Sequence, residues 1–236
     1  MMQSIVSDHG LQLLTVNSPK TVKGENAQWV TGILYLAPAR TSGVNMCPQS
    51  TPGCEASCLF TAGRGAMSRV QNARIRKTLW FSMDRRGFME ALCEDIAKLE
   101  ARALAKGFRL CIRLNGTSDV LWHKIRVRNK PNIHSVFPHI QFYDYTKQRP
   151  AKFSGKPGNL HVTYSRSELN EEEARKLSLA GLPVAVVWRD ELPATYWGKP
   201  VYDADQNDLR FLDPPGHIVG LLAKGRAKKD ETGFVI

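Results

Sequence analysis

The chain has 236 residues, of which 42% are hydrophobic and 23% are charged, a composition typical of a globular protein and not of a disordered one. Lys and Arg outnumber Asp and Glu by 33 to 22, and the net charge of +11 favours nucleic acid or an anionic small molecule as partner. No segment has the pattern of a signal peptide or the apolar length of a membrane span. We therefore predict a cytoplasmic protein without a membrane partner, folded as a single domain over residues 1–236.

The first predicted element is a buried strand, TGILYLAPA (31–39), which leads into a loop at residues 44–65, VNMCPQSTPGCEASCLFTAGRG. This loop contains Cys47, Cys54 and Cys58 among prolines and glycines. Because a reducing compartment disfavours disulfides, three close cysteines in a polar loop indicate a metal site. Three thiolates without a second pair favour an iron–sulfur cluster over structural zinc, which usually has four protein ligands. The cluster is either [4Fe–4S] with one open iron or one whose last ligand comes from a distant residue.

Zinc is the alternative, as a Cys3His site with one of four histidines as the fourth ligand: His123, His134, His139 or His161. The two other cysteines, Cys93 and Cys111, fall inside a predicted helix and a predicted strand. We expect both to be buried as small apolar residues and to bind no metal.

Two helices are predicted next, over residues 66–82 and 86–106, the second with apolar residues at three- and four-residue spacing and Gly107 at its end. Residues 64–86 hold seven Lys and Arg and one carboxylate, Asp84. This pattern is typical either of a solvated helix face or of a face that contacts phosphate. The candidate nucleic-acid contacts are Arg64, Arg69, Arg76 and Lys77, with the basic tail 225–236 as a further candidate.

From residue 108 to 224, short apolar strands alternate with loops and helices. The strands are predicted at 108–114, 139–145, 159–165, 182–188 and 217–223, with a helix over 170–181 that begins at an Asn cap. This alternation predicts parallel βα units. The predicted fold class is α/β, a partial (β/α) barrel of mostly parallel strands with flanking helices, and a doubly wound sheet is the alternative.

Polar side chains follow each predicted strand, and in parallel βα folds the functional site lies at this end of the sheet. We expect ligand-binding roles for Arg74, Arg113, Asn115, Ser118, Asp119, Tyr145, Ser165 and Arg189. We expect catalytic roles for Tyr143, Asp144 and Lys147, with a loop-capping carboxylate as the alternative for Asp144. The cysteine loop and residues 113–119 should share one mouth, with Arg74 pointing toward it.

An acidic segment, YDADQNDLRFLD, contains Asp203, Asp205, Asp208 and Asp213. Carboxylates at this density suit a hard cation, but the spacing lacks the glycine and the closing glutamate of a calcium loop. We therefore interpret the segment as a solvated loop.

Three segments together carry a family resemblance: NMCPQSTPGCEASCLFTAGRG, VQNARIRKT and RLNGTSDVLW. Over roughly residues 30–190 the chain resembles the gene product 88 type of phage and plasmid proteins, which implies a mobile-element origin and the host cytoplasm but no activity. It has a weaker likeness to radical S-adenosylmethionine enzymes, from whose C-x3-C-x2-C spacing it departs. That likeness implies an enzyme with S-adenosylmethionine as a further cofactor. The alternative is a nucleic-acid-binding module with a structural or redox-sensing metal site.

Overall fold

The computed structural model describes residues 12–16 and 28–236. Residues 1–11, which entered the prediction that no signal peptide is present, lie outside the described part. The described strands are β1 (Leu14–Thr15), β2 (Trp29–Leu34), β3 (Arg109–Arg113), β4 (Gln141–Thr146), β5 (Leu160–Ser165), β6 (Val184–Trp188), β7 (Thr195–Tyr196), β8 (Lys199–Asp203) and β9 (Ile218–Leu222). The described α-helices are α1 (Pro52–Ala56), α2 (Ser68–Met83), α3 (Arg85–Leu104), α4 (Ile133–Val136) and α5 (Glu171–Leu179), and short 3-10 helices cover Leu59–Thr61, Gly63–Ala66, Trp122–Lys124, Pro150–Phe153, Arg210–Leu212 and Gly225–Lys229.

The nine strands form one sheet in the order β1-β2-β3-β4-β5-β6-β9-β8-β7. The strands from β2 to β8 in this order are parallel, while β1 and β7 are antiparallel to their neighbours at the two edges. The predicted α/β fold with mostly parallel strands is therefore confirmed. The sheet is not closed, because β1 and β7 do not pair with each other.

Helices α2 and α3 cover one face of the sheet. The buried positions of α3 recur every three or four residues (Phe88, Leu92, Ile96, Leu99, Ala103), as the periodicity predicts, and they pack on the side chains of β2, β3 and β4. Asp84 caps α3 by accepting a hydrogen bond from the N–H of Gly87, and Gly107 follows the helix with a φ of +74°. No described helix is both long enough and apolar enough to cross a membrane.

Helix α5 covers the same face further along the sheet, where Ala174 packs with Tyr164, Val184 and Val186. Asn170 occupies the predicted cap position of α5 but does not form the expected capping hydrogen bond. Its side chain binds instead the N–H of Ser167 and the carbonyl of Ser165.

The opposite face of the sheet is covered by the chain segment after β8. Leu209 packs with Trp29, Cys111 and Tyr143, and Ala204 packs with Ala185 and Val219. Helices therefore lie on one face and the acidic segment on the other, which leaves the carboxyl ends of the strands accessible.

The carboxyl-terminal residues fold back onto β6. Val235 forms a parallel bridge with Val187, and the N–H of Ile236 donates to the carbonyl of Val187 at 3.0 Å. The tail that we predict as a basic nucleic-acid contact is thus part of the fold, although Arg226, Lys228 and Lys229 within it are exposed.

Candidate functional site

The carboxyl ends of the parallel strands surround a cavity of about 230 Å³. Chain segments that are far apart in the sequence reach it because parallel strands end at the same edge of a sheet. The predicted site residues that line it are Cys47, Cys54, Cys58, Arg113, Asn115, Ser118, Asp119, Tyr145, Lys147 and Ser165. The structure therefore brings the cysteine loop and the segment after β3 to a common mouth.

The cysteine loop is shaped around the short helix α1. Thr51 caps it, with its hydroxyl accepting from the N–H of Cys54, and Pro52 occupies the first helical position, where no N–H is needed. The carboxylate of Glu168, from the loop after β5, accepts from the Thr51 hydroxyl at 2.8 Å and from the N–H of Gly53 at 2.7 Å. These bonds fix Cys54 at the cavity wall.

Cys47, Cys54 and Cys58 are partly buried, and none forms a disulfide. Burial raises the pKa of Cys47 to about 12 and also raises that of Cys58; the charges of Cys58 and Cys54 add to the rise at Cys47, and that of Cys54 adds to the rise at Cys58. The thiols are therefore close enough to repel one another when ionised. A bound metal would have to displace their protons, since thiolates are the ligating form.

Cys93 and Cys111 lie elsewhere. Cys93 lies on the buried side of α3, in the core. The Sγ of Cys111 lies 3.3 Å from the hydroxyl of Thr31 inside the sheet. Their burial agrees with the prediction from their positions in a helix and a strand.

The histidines proposed as a fourth zinc ligand do not line the cavity. His123 contacts the carbonyl of Lys152, and His139 contacts Glu100. His134 is buried against Phe142, and His161 lies on β5. Within the described part of the chain, no three His, Cys, Asp or Glu side chains are grouped so as to hold one metal ion.

Arg74 of α2 lies behind Cys58. It is only 9% exposed, and its guanidinium carbon lies 4.6 Å from the centroid of the Tyr35 ring and 5.6 Å from that of Phe60. Its Nε and Nη1 atoms have no hydrogen-bond partner among the described residues. Its charge lowers the pKa of Cys58, which places a buried cation beside that thiol. Arg74 is thus next to the site, as predicted, although it does not line the cavity.

The loop after β3 is held by its own side chains. The Asn115 side-chain oxygen accepts from the Ser118 hydroxyl at 3.0 Å, the Val120 N–H at 2.9 Å and the Trp122 indole at 3.0 Å. Asp119 accepts from the Thr146 hydroxyl at 2.7 Å and the Lys147 N–H at 3.0 Å, and burial raises its pKa. These three predicted ligand-binding residues therefore position the loops at the mouth.

Arg113 forms the floor of the cavity. Its Nη1 donates to Asp208 at 3.0 Å, and its guanidinium lies 4.6 Å from the ring centroid of Tyr145, which also lines the cavity. Tyr143, predicted as catalytic, is fully buried below them, with its hydroxyl donating to the same carboxylate of Asp208. Tyr143 supports Arg113 and does not reach the cavity.

Asp144 points to the opposite face of the sheet from Tyr143 and Tyr145, because successive strand residues alternate. Its Oδ1 accepts from the N–H of Asn115 at 2.7 Å, and burial raises its pKa to about 8. The structure thus places Asp144 outside the cavity, in the loop-capping position that was the alternative prediction.

The carboxyl-terminal segment closes one side of the cavity, which the sequence did not indicate. Phe234 lines the cavity, and Lys147 lies 5.3 Å from its ring centroid. A Cβ on Gly53 would lie 2.1 Å from the Thr232 hydroxyl and 2.6 Å from the Phe234 Cβ, so only glycine admits this contact.

Arg189, predicted as a ligand-binding residue, instead donates to the carbonyls of Lys228 and Asp230 and holds the segment in place. Further lining residues that we did not predict are Glu55, Thr117, Asp205 and Lys224.

The basic residues of α2 and the turn before it are divided between surface and core. Arg64, Arg69 and Arg76 are exposed, but Lys77 is only 7% exposed and its ammonium donates to the carbonyl of Leu13 at 2.7 Å. Lys77 is therefore placed where a phosphate cannot reach it.

The acidic segment is not a solvated loop. Asp208 is only 4% exposed and pairs with Arg113, Asp213 lies 3.2 Å from Arg210, and Asp205 pairs with Lys224. Asp203 accepts from the N–H of Asp205. The interpretation as a solvated loop is wrong because three of the four carboxylates neutralise cations that the fold brings to this face.

The Gene product 88 family matches the chain over residues 12–236. No curated protein and no solved structure was found to be similar to it. The comparisons give no support to a likeness with radical S-adenosylmethionine enzymes. The match extends beyond the 30–190 range of the resemblance and includes the carboxyl-terminal segment that closes the cavity. The chain therefore belongs to the Gene product 88 family.

Proposed function

We propose that the protein binds an iron–sulfur cluster through Cys47, Cys54 and Cys58 and holds a small anionic ligand beside it. The observation that carries the proposal is that three thiols within twelve residues line one cavity, with the buried cation Arg74 behind one of them. A buried guanidinium whose N–H groups lack acceptors is costly unless a negative group lies nearby. Thiolates bound to a cluster would supply that negative charge.

The donor chemistry suits a cluster, which would take each thiolate on a different iron, whereas the described side chains are not grouped around a single metal ion. Thiolates are soft ligands that favour iron–sulfur clusters and zinc, and a [4Fe–4S] cluster with three protein thiolates retains one iron that can bind a further ligand. When bound, the cluster would supply electron transfer or Lewis acidity, and the protein would supply binding and orientation.

The polar groups of the cavity carry both charges. Arg113, Lys147 and Lys224 are cationic and Ser165 contributes a hydroxyl, while carboxyl groups come from Glu55, Asp119 and Asp205. Because Arg113 pairs with Asp208 and Lys224 with Asp205, Lys147 is the lining cation that forms no salt bridge among the described residues, and we propose it as the main contact of an anion. Asp208 and Tyr145 hold the Arg113 side chain in one orientation. Val187, Leu221 and Phe234 contribute apolar surface to the cavity. An anionic ligand would therefore be oriented by fixed charges at low dielectric.

The finer architecture that we propose is a partial (β/α) barrel. From β2 to β6 the strands follow one another in chain order without reversal, whereas a doubly wound sheet reverses direction at its switch point. The helices cover the outer face and the acidic segment fills the inner one. In such folds the site lies at the carboxyl ends of the strands, where this cavity is found.

The test is the iron, sulfide and zinc content of the protein after anaerobic purification. We expect iron and sulfide in comparable amounts, with the visible absorbance of a cluster. Single variants Cys47→Ser, Cys54→Ser and Cys58→Ser should each lose most of the iron. The matched control is Cys93→Ala, which alters a buried cysteine outside the cavity and should retain it.

Two results would contradict the proposal. Detection of zinc without sulfide would indicate that the cysteines form a structural zinc site and not a cluster. Equal loss of iron in a folded Cys93→Ala variant would show that the three loop cysteines are not the specific ligands.

A further inference from the structure

A second concentration of positive charge lies outside the cavity, in two loops on the helical side of the sheet. Residues 120–167 contain nine Lys and Arg and only one carboxylate, that of the buried Asp144. Seven of the nine cations are exposed. We call them the two-loop basic surface: Lys124, Arg126, Arg128, Lys130, Arg149, Lys152 and Lys156.

The first loop, between β3 and β4, exposes its cations around a buried apolar anchor. Val127 is buried in the core, and its N–H and carbonyl pair with those of Lys130 in a tight turn. Arg126 and Arg128 flank Val127 and are exposed, Arg128 within the turn itself, where its φ is +53°. Burial of Val127 thus holds its basic neighbours toward solvent.

The second loop, between β4 and β5, packs directly against the first. The His123 Nε2 lies 3.0 Å from the carbonyl of Lys152, and the His123 and Phe153 rings have centroids 5.0 Å apart at an angle of 30°. The charges of both Lys124 and Lys156 act on His123. The two loops therefore form one continuous surface with a partly exposed pair of rings between them.

These cations have no carboxylate partners in the described chain, although the Lys156 ammonium donates to the carbonyl of Leu160 at 2.6 Å. In the part of the chain that the structure describes, none of the seven forms a salt bridge. Arg128, Glu90 and Glu94 all act on the Cys93 thiol of α3, but the two carboxylates are paired with Arg86 and Lys98. Like charges on one surface repel one another, and a polyanion would relieve the repulsion.

We infer that the two-loop basic surface binds the phosphate backbone of nucleic acid, with the His123–Phe153 pair available for stacking on a base. Clustered Lys and Arg with an aromatic platform are the features that bind single strands. An anionic membrane fits less well, because the large exposed hydrophobic residues of the described chain all lie outside these loops. This surface is distinct from the exposed face of α2 that the sequence suggested.

The test measures binding of a labelled single-stranded DNA oligonucleotide by fluorescence anisotropy over a series of salt concentrations. We expect affinity to fall as salt rises, with a slope of about 0.7 per phosphate contact. The first-loop variant Lys124→Gln/Arg126→Gln/Lys130→Gln should bind at least ~10-fold more weakly, with a salt slope shallower by about 2. The variant Arg149→Gln/Lys152→Gln, in the other loop, should also weaken binding.

The matched control neutralises the exposed cations of the other stretch, Arg64→Gln/Arg69→Gln/Arg76→Gln, and should bind as the unmodified protein does. Since the substituted residues are exposed, all variants should keep the circular dichroism spectrum and iron content of the parent. A control that loses the affinity while the two loop variants keep it would overturn the proposal. So would absence of binding at low salt, or tighter binding to phosphatidylserine vesicles than to the oligonucleotide.

Discussion

Two stretches of this chain are rich in Lys and Arg, and the fold uses them differently. In residues 64–86, Arg74 and Lys77 turn inward, one toward Cys58 and the other onto the backbone of Leu13. In residues 124–156, seven cations stay at the surface without carboxylate partners. Both stretches have a large excess of Lys and Arg over carboxylates, so a basic sequence alone does not distinguish a binding surface from a structural support.

The difference follows from what each stretch packs against. Helix α2 is amphipathic only in part, so a long cationic side chain on its inner side must find an acceptor or a negative charge. The loops after β3 and β4 bury short apolar anchors such as Val127 and leave their cations in water. We expect substitution of the two buried cations of the first stretch, Arg74 and Lys77, to affect the metal site and stability, and substitutions in the second stretch to affect only binding of a polyanion.

The largest effect is expected at Arg74. The Arg74→Met variant should release iron on chelation ~10-fold faster or more, since residues that support metal ligands typically contribute 10- to 100-fold in affinity. The metal-free variant should be as stable as the metal-free parent or more so, because an unpaired buried charge is removed. Arg74→Lys should retain more iron. Equal iron release by Arg74→Met and the parent would remove Arg74 from the site.

Lys77 should contribute to stability and not to binding. The backbone of Leu13 is held at both ends, by Lys77 at its carbonyl and by Asp95 at its N–H. Lys77→Met leaves the buried carbonyl without a donor and should lower the free energy of unfolding by ~1–3 kcal/mol in urea denaturation. The exposed Arg69→Met on the same helix is the control, and an equal loss in both variants would contradict this role.

Asp144, the single carboxylate of residues 120–167, should make stability depend on pH. Its pKa is raised to about 8 in the folded protein, so the folded state holds its proton more tightly than the unfolded chain. Its stabilising contribution is present below about pH 4 and is lost as pH rises to about 8, by at most ~1.4 kcal/mol per pH unit.

The Asp144→Asn variant keeps an oxygen for the N–H of Asn115 and removes this titration. Its unfolding free energy, relative to the parent, should therefore increase between about pH 5 and about pH 8. A constant difference between the two proteins over this range would show that Asp144 is ionised throughout.

The smallest effect on stability is expected at the exposed cations of the second stretch. Lys124→Met and Lys152→Met should each change the free energy of unfolding by less than ~0.5 kcal/mol, as is usual for surface positions without partners. Thermal melting of the two variants beside Lys77→Met provides the check. A large loss in either would show that the loop cations support the fold, and the contrast between the stretches would fail.

Local patterns were sufficient to predict several elements of this protein. The apolar spacing of α3, the five strands of alternating βα units and the polar residues at their ends are properties of short segments. Because parallel strands end at one edge, these patterns also predicted that the cysteine loop and residues 113–119 would meet. The positive charge of residues 120–167 is also evident in the sequence. We nevertheless assigned the nucleic-acid contacts to α2 and the turn before it, because residues 64–86 are denser in Lys and Arg.

Only the tertiary structure decided which side chains reach the cavity. Tyr143, Asp144 and Tyr145 are consecutive, yet one is buried beneath Arg113, one faces the opposite side of the sheet and one lines the cavity. Strand residues alternate with a period of two, and the alternation alone does not say which face is the interior. The contacts of Phe234 with Lys147 and of Asp208 with Arg113 join residues nearly ninety or more positions apart, so no local pattern carries them. The sequence by itself determined the elements and the end of the sheet where they meet, and long-range packing determined the side chains that form the site.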